Sequence, residues 1–140
     1  MGRARERRCG KRRGAATVEF ALICPLLFAV ILGIMEFGRG MMVSEMLTSA
    51  ARAGCRAATL TGASTSSATT IVNAGLPGIT GSTTTMTVNG VSEDVNKAQS
   101  GDTIVVTVTV PYNTISWLPT ASSSYLTGLT LTGKASMCHE

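Results

Sequence analysis

The sequence is poor in the side chains that most catalytic and metal sites require. Its 140 residues include one histidine, His139, one tryptophan, two tyrosines and three phenylalanines. His139 follows Cys138 directly, and adjacent residues cannot complete a four-ligand zinc site by themselves. The glycines are scattered through turns and form no phosphate-binding loop. The sequence therefore predicts no enzyme active site, no metal and no cofactor.

Cysteine is also scarce, and its spacing excludes a common type of site. The chain has four cysteines and no C-x-x-C pair among them. This spacing argues against a structural zinc site.

The net charge of +4 is carried by one end of the chain. Seven of the twelve basic residues precede Gly14, whereas the rest of the chain has five basic and seven acidic residues. A nucleic-acid interface would need a basic face with aromatic residues in the folded part. No such face is visible, so the sequence predicts no nucleic-acid binding. Residues 1–14 form a basic arm in which we expect no packed structure.

A long apolar segment follows the basic arm and ends near Phe37. The part from Ala15 to Met35 has about the 20 residues that a helix needs to cross a bilayer. Basic residues concentrate on its N-terminal side, which predicts a cytoplasmic N-terminus and an outer C-terminus. Pro25 lies inside the segment and predicts a kink or a loosened turn. We therefore expect a transmembrane helix over residues 15–37.

Three kinds of N-terminal signal could introduce such a helix. The only A-x-A cleavage pattern, at residues 51–53, lies well beyond the apolar segment, which argues against a secretory signal peptide. The Arg12–Arg13 pair is reminiscent of a twin-arginine signal, but the residues after it continue that signal poorly. A pilin-type leader, cut in front of the apolar segment, fits the order of residues best.

Glu19 is the only charged residue between Ala15 and Met35. An acidic residue one turn inside an apolar membrane helix is costly and indicates a functional role. The surrounding string RRGAATVEFALICPLLFAVILGIMEFGR resembles the TadE family, small pilin-like proteins of the tight-adherence (Tad) pilus machinery. The resemblance covers roughly residues 12–56.

The resemblance implies a processed, membrane-anchored subunit of a bacterial pilus. A prepilin peptidase would cut between Gly14 and Ala15, and Glu19 with Phe20 would guide assembly with other pilin-like subunits. The protein would cross the bacterial inner membrane once, with its C-terminal domain outside the cytoplasm. Two alternatives stay open: an unprocessed single-pass envelope protein, and an anchored adhesin with an outer β-domain.

The helical pattern continues beyond the membrane segment, over residues 38–61. Glu36 and Arg39 are spaced i,i+3 and could pair at the membrane surface. Ala50, Gly54 and Ala58 form a stripe of small residues, which we interpret as the face that packs on the protein's own outer domain.

Residues 62–140 predict a small α+β domain. A short helix is expected over residues 66–74, and Gly75 would end it. Strand patterns cover residues 83–88, 103–110 and 129–136, and Asn89-Gly90 predicts a hairpin with a short return strand over 91–95. The expected fold class is thus α+β, a long N-terminal transmembrane helix that continues into a three- to four-stranded antiparallel sheet packed on the helix.

A long connection separates the last two predicted strands. The connection, over residues 111–127, holds Trp117, which we expect to cap the core together with Leu118; a contact surface for a ligand is the alternative.

Cys55 and Cys138 are the two cysteines expected in an oxidising compartment, so we predict a disulfide between them. The outward parity of Cys138 in the last strand counts against that bridge.

Overall fold

The computed structural model describes the backbone of residues 10–117 and 128–139, with side chains from Gly14 onward. The chain divides into two compact units, Met1–Phe37 and Gly38–Glu140. The elements are α1 (Gly10–Ala58), α2 (Thr65–Ala74), β1 (Thr83–Val88), β2 (Thr103–Pro111) and β3 (Thr130–Cys138), with short 3-10 turns at Val95–Lys97 and Tyr112–Thr114.

The described part of the first unit is the N-terminal portion of α1. Every large apolar side chain from Val18 to Phe37 is exposed, and the helix from Gly14 onward is long and apolar enough to cross a membrane. The helix runs without interruption through Pro25. It begins at Gly10, inside the arm in which we expected no packed structure, because Lys and Arg favour helix and extending an existing helix costs little.

The second unit is built on a three-stranded antiparallel sheet in the order β1-β2-β3. The alternation of β2 decides which face is buried. Ile104, Val106, Val108 and Val110 are completely buried on one face, as their period of two predicts. The fold class is therefore α+β, with three strands packed on the long helix.

The predicted return strand over residues 91–95 is wrong. Asn89 and Gly90 do form a turn with positive φ, and Val91 makes a single bridge back to Val88. The chain then leaves the sheet, because Asp94 caps the 3-10 turn and its carboxylate accepts a 2.7 Å hydrogen bond from the Thr65 hydroxyl. The partner of β1 is β2 instead.

The C-terminal part of α1 covers the buried face of the sheet. Leu47, Ala51, Cys55 and Ala58 are completely buried and belong to the same apolar core as the valines of β2. The helix and the sheet come very close at Gly133 of β3, where a Cβ would overlap the backbone of Leu47. Residues 38–58 of α1 are therefore part of the folded unit.

Helix α2 packs against α1 through the stripe of small residues. Ser64 caps α2 in a capping box, and Gly75 ends it, close to the predicted bounds. A Cβ on Gly54 would overlap Val72 of α2, and one on Gly75 would touch Ala50. The interpretation of the stripe as an internal packing face is confirmed.

The segment after β2 closes one end of the core. Tyr112 and Ile115 are buried there. Trp117 is 62% exposed, so the prediction that it caps the core is wrong. Tyr112 and Ile115, which precede Trp117 in the sequence, close this end of the core instead. Leu118 lies outside the described residues.

Candidate functional site

The predicted cleavage site lies within α1. Gly14 and Ala15 are both helical and exposed, and among the described residues a Cβ on Gly14 would meet nothing within 4 Å. Packing against the described part of the chain therefore does not explain the choice of glycine at this position. An exposed glycine in a helix also weakens it by about 1 kcal/mol relative to alanine, which favours local opening at that bond.

Glu19 and Phe20 follow one turn later on the same helix. Both side chains are exposed, Phe20 to 67%. Glu19 is four residues beyond Ala15, so about 6 Å of helix rise separates them and they share one face. The structure thus places a carboxylate one turn from the residue that would become the new N-terminus.

Arg39 is the first basic residue after the apolar segment, and its contacts lie far away in the sequence. Its Nε donates a hydrogen bond to the carbonyl oxygen of Ile115. Its guanidinium carbon lies 4.8 Å from the centroid of the Trp117 ring, within the range of a cation–π interaction. The ion pair of Arg39 with Glu36 stays a prediction.

Sequence reasoning missed this Arg39–Trp117 contact. The two residues are 78 positions apart, and no local pattern connects them. The available signal was the combination of one basic residue at the end of the apolar segment and the single tryptophan in a long connection.

The structure does not bring the two cysteines of the predicted disulfide together. Cys55 is buried under the sheet and its Sγ donates to the carbonyl of Ile104, at 3.5 Å. Cys138 is exposed at the end of β3, paired in register with Thr103. Both are free thiols, because Cys138 points away from the face that Cys55 occupies.

Burial raises the pKa of the Cys55 thiol, and backbone hydrogen bonds from Met137 and Val106 offset part of that effect. A buried thiol of raised pKa is a poor nucleophile. Among the residues that the structure describes, no group of three histidine, cysteine or acidic side chains could hold a metal ion.

Comparison with known proteins finds one family. Residues 14–56 match the family model described as TadE-like protein. Neither the curated proteins nor the solved structures gave a match. The matched segment starts at the predicted cleavage site and includes Glu19, Phe20 and most of α1. The match covers most of α1 and none of the sheet, and it agrees with the resemblance that the sequence shows to the TadE-like family.

Proposed function

We propose that this protein is a pilin-like subunit of a Tad pilus, anchored in the bacterial inner membrane and processed after Gly14 by a prepilin peptidase. The observation that carries the proposal is the lone carboxylate of Glu19 in an exposed apolar helix, five positions after an exposed glycine. The family match supports a Tad pilus component and a structural, non-enzymatic role.

The charge of Glu19 would be energetically unfavourable in the membrane for an isolated subunit. An ionised carboxylate near the middle of a bilayer costs about 2.5–3.5 kcal/mol on insertion scales, and less near the interface. Cleavage after Gly14 would create an ammonium group on Ala15. Pairing of that ammonium with the Glu19 carboxylate of a neighbouring subunit would favour side-by-side helices in register.

The distribution of charge also supports cleavage of the leader on the cytoplasmic side of the membrane. The basic arm keeps the leader on the cytoplasmic side, where the peptidase would act. Its removal takes away seven basic and one acidic residue, so the product carries five basic and seven acidic residues and a net charge of −2. The second unit would then lie on the outer side of the inner membrane.

A Glu19→Val substitution tests the role of Glu19 in assembly. The variant should insert and be processed as the wild type, since valine removes the desolvation cost, but it should lose co-purification with other pilin-like subunits. Glu19→Asp should be intermediate, because the charge stays and its reach is one methylene shorter.

Glu45→Val is the matched control, since Glu45 is an exposed glutamate of α1 beyond the apolar segment. It should co-purify as the wild type does. Normal co-purification of Glu19→Val would make Glu19 incidental and favour an unprocessed, anchored envelope protein or adhesin. A fragment of residues 60–140 cannot serve in these experiments, because it lacks Leu47, Ala51 and Cys55 from its core.

A further inference from the structure

We propose that Trp117 and Arg39 form a membrane-contacting site, in which the indole of Trp117 sits in the headgroup layer of the same bilayer that α1 enters. The ligand is the lipid surface, with the phosphate groups facing the Arg39 guanidinium. This inference rests on the membrane anchoring in the proposed function and adds a second contact with the membrane, made by the folded unit.

The depth of Trp117 follows from its contact with Arg39. Arg39 lies four positions after Met35, so at most about 14 Å of chain lies between them, and the rise along α1 is about 6 Å. The headgroup layer on each side of the hydrocarbon core is about 5–8 Å thick. Because the Arg39 guanidinium lies 4.8 Å from the Trp117 ring, both side chains fall near this layer.

The segment that carries Trp117 is held in place at several points. The Arg39 Nε donates to the carbonyl of Ile115, two residues before Trp117. Ile115 and Tyr112 are buried, and a Cβ on Gly40 would lie 3.4 Å from the Tyr112 ring. These contacts fix the start of the connection against the helix at Gly40, directly after Arg39.

The exposed side chains around Arg39 suit a lipid interface. Trp117 is 62% exposed, and Met41 and Met42 are 58% and 65% exposed. Tryptophan is enriched in headgroup layers, where its apolar ring and its N–H donor are both satisfied. An arginine beside it can extend its guanidinium to phosphate while its methylene stem stays on apolar surface. A second protein surface would not require the guanidinium at this depth.

The single tryptophan makes the proposal directly measurable. The full chain is reconstituted in vesicles of phosphatidylcholine and phosphatidylglycerol, with or without lipids brominated at a shallow or a deep acyl position. Flotation of the vesicles first establishes anchoring. The tryptophan emission should be blue-shifted, protected from aqueous iodide, and quenched more by the shallow than by the deep bromines.

Arg39→Ala should reduce the quenching by brominated lipid and increase the quenching by iodide, with circular dichroism confirming a folded chain. Arg52→Ala, at another exposed arginine of α1, should leave both values at the wild-type level. An Arg39→Ala variant with unchanged quenching would overturn the role of Arg39.

The remaining outcomes separate the two proposals. Protein that does not float with the vesicles would contradict the membrane anchoring and with it the proposed function. Protein that floats but has a tryptophan open to iodide and insensitive to brominated lipid would overturn this inference alone. Protection from both quenchers would assign the site to a second protein copy and would overturn it equally.

Discussion

The backbone of Gly133 in β3 lies directly against the backbone of Leu47 in α1. A Cβ on Gly133 would overlap the carbonyl group of Leu47 and the amide nitrogen of Thr48. No side chain stands between the strand and the helix at this point, so neither partner can adjust by changing a rotamer. This contact fixes how closely the helix covers the sheet.

Gly133→Ala should destabilise the second unit, because the added methyl forces the helix and strand apart. Overpacking of a core typically costs about 1–3 kcal/mol, and we expect a loss of at least that size in the free energy of unfolding. Chemical denaturation followed by circular dichroism measures it.

Ser136→Ala is the matched control for Gly133→Ala, since Ser136 is exposed on the other face of the same strand. A surface change of this kind should alter the free energy of unfolding by less than about 0.5 kcal/mol. Equal stability of Gly133→Ala and the wild type would show that the helix and strand are not in backbone contact.

The free thiols of Cys55 and Cys138 should differ strongly in reactivity. Alkylating reagents attack the thiolate, and burial both shields Cys55 and raises its pKa. We therefore expect Cys138 to be labelled quickly in the native protein and Cys55 only after denaturation. Peptide mass mapping under non-reducing conditions assigns each label. Failure to label either residue in denaturant without reductant would instead support the disulfide.

The carboxylate of Asp102 should make stability depend on pH. It accepts hydrogen bonds from the Gln99 backbone N–H at 2.8 Å and from the Asn89 side chain at 2.7 Å. These bonds lower its pKa below the ordinary value of 3.8. Since the folded pKa is the lower one, the stabilisation is fully present above 3.8 and is lost as the pH falls through the folded value.

Thermal unfolding measured above and below pH 3.8 tests whether stability depends on the ionised Asp102 carboxylate. Asp102→Asn should be less stable than the wild type well above pH 3.8, and the difference should shrink below it. Glu93→Gln removes an exposed carboxylate and should keep the wild-type pH profile. A constant difference between Asp102→Asn and the wild type at every pH would exclude the ionised carboxylate as the cause.

The sequence predicted those parts of the fold that depend on local pattern. The alternation over Thr103–Val110 identified β2 and its buried face, and the small-residue stripe identified where α1 packs. The errors came from contacts between distant residues. Asp94 leaves the sheet because Thr65 binds its carboxylate, and Trp117 stays exposed because Tyr112 and Ile115 already close the core.

The candidate site divides in the same way. Gly14 and Glu19 could be identified from the sequence, because their predicted roles depend only on their spacing along a single helix. The contact of Arg39 with Trp117 could not, since it depends on how the connection after β2 folds back onto α1. The separation of Cys55 from Cys138 follows from strand parity, which the sequence already indicated.

The N-terminus of the protein extracted from the membrane tests the central proposal most directly. The protein is expressed with a prepilin peptidase, and N-terminal sequencing with intact mass is compared for the wild type and Gly14→Leu. We expect the wild type to begin at Ala15, and Gly14→Leu to remain an uncut precursor in the membrane. A wild-type protein that still begins with the basic arm, or the same N-terminus in both proteins, would contradict the account.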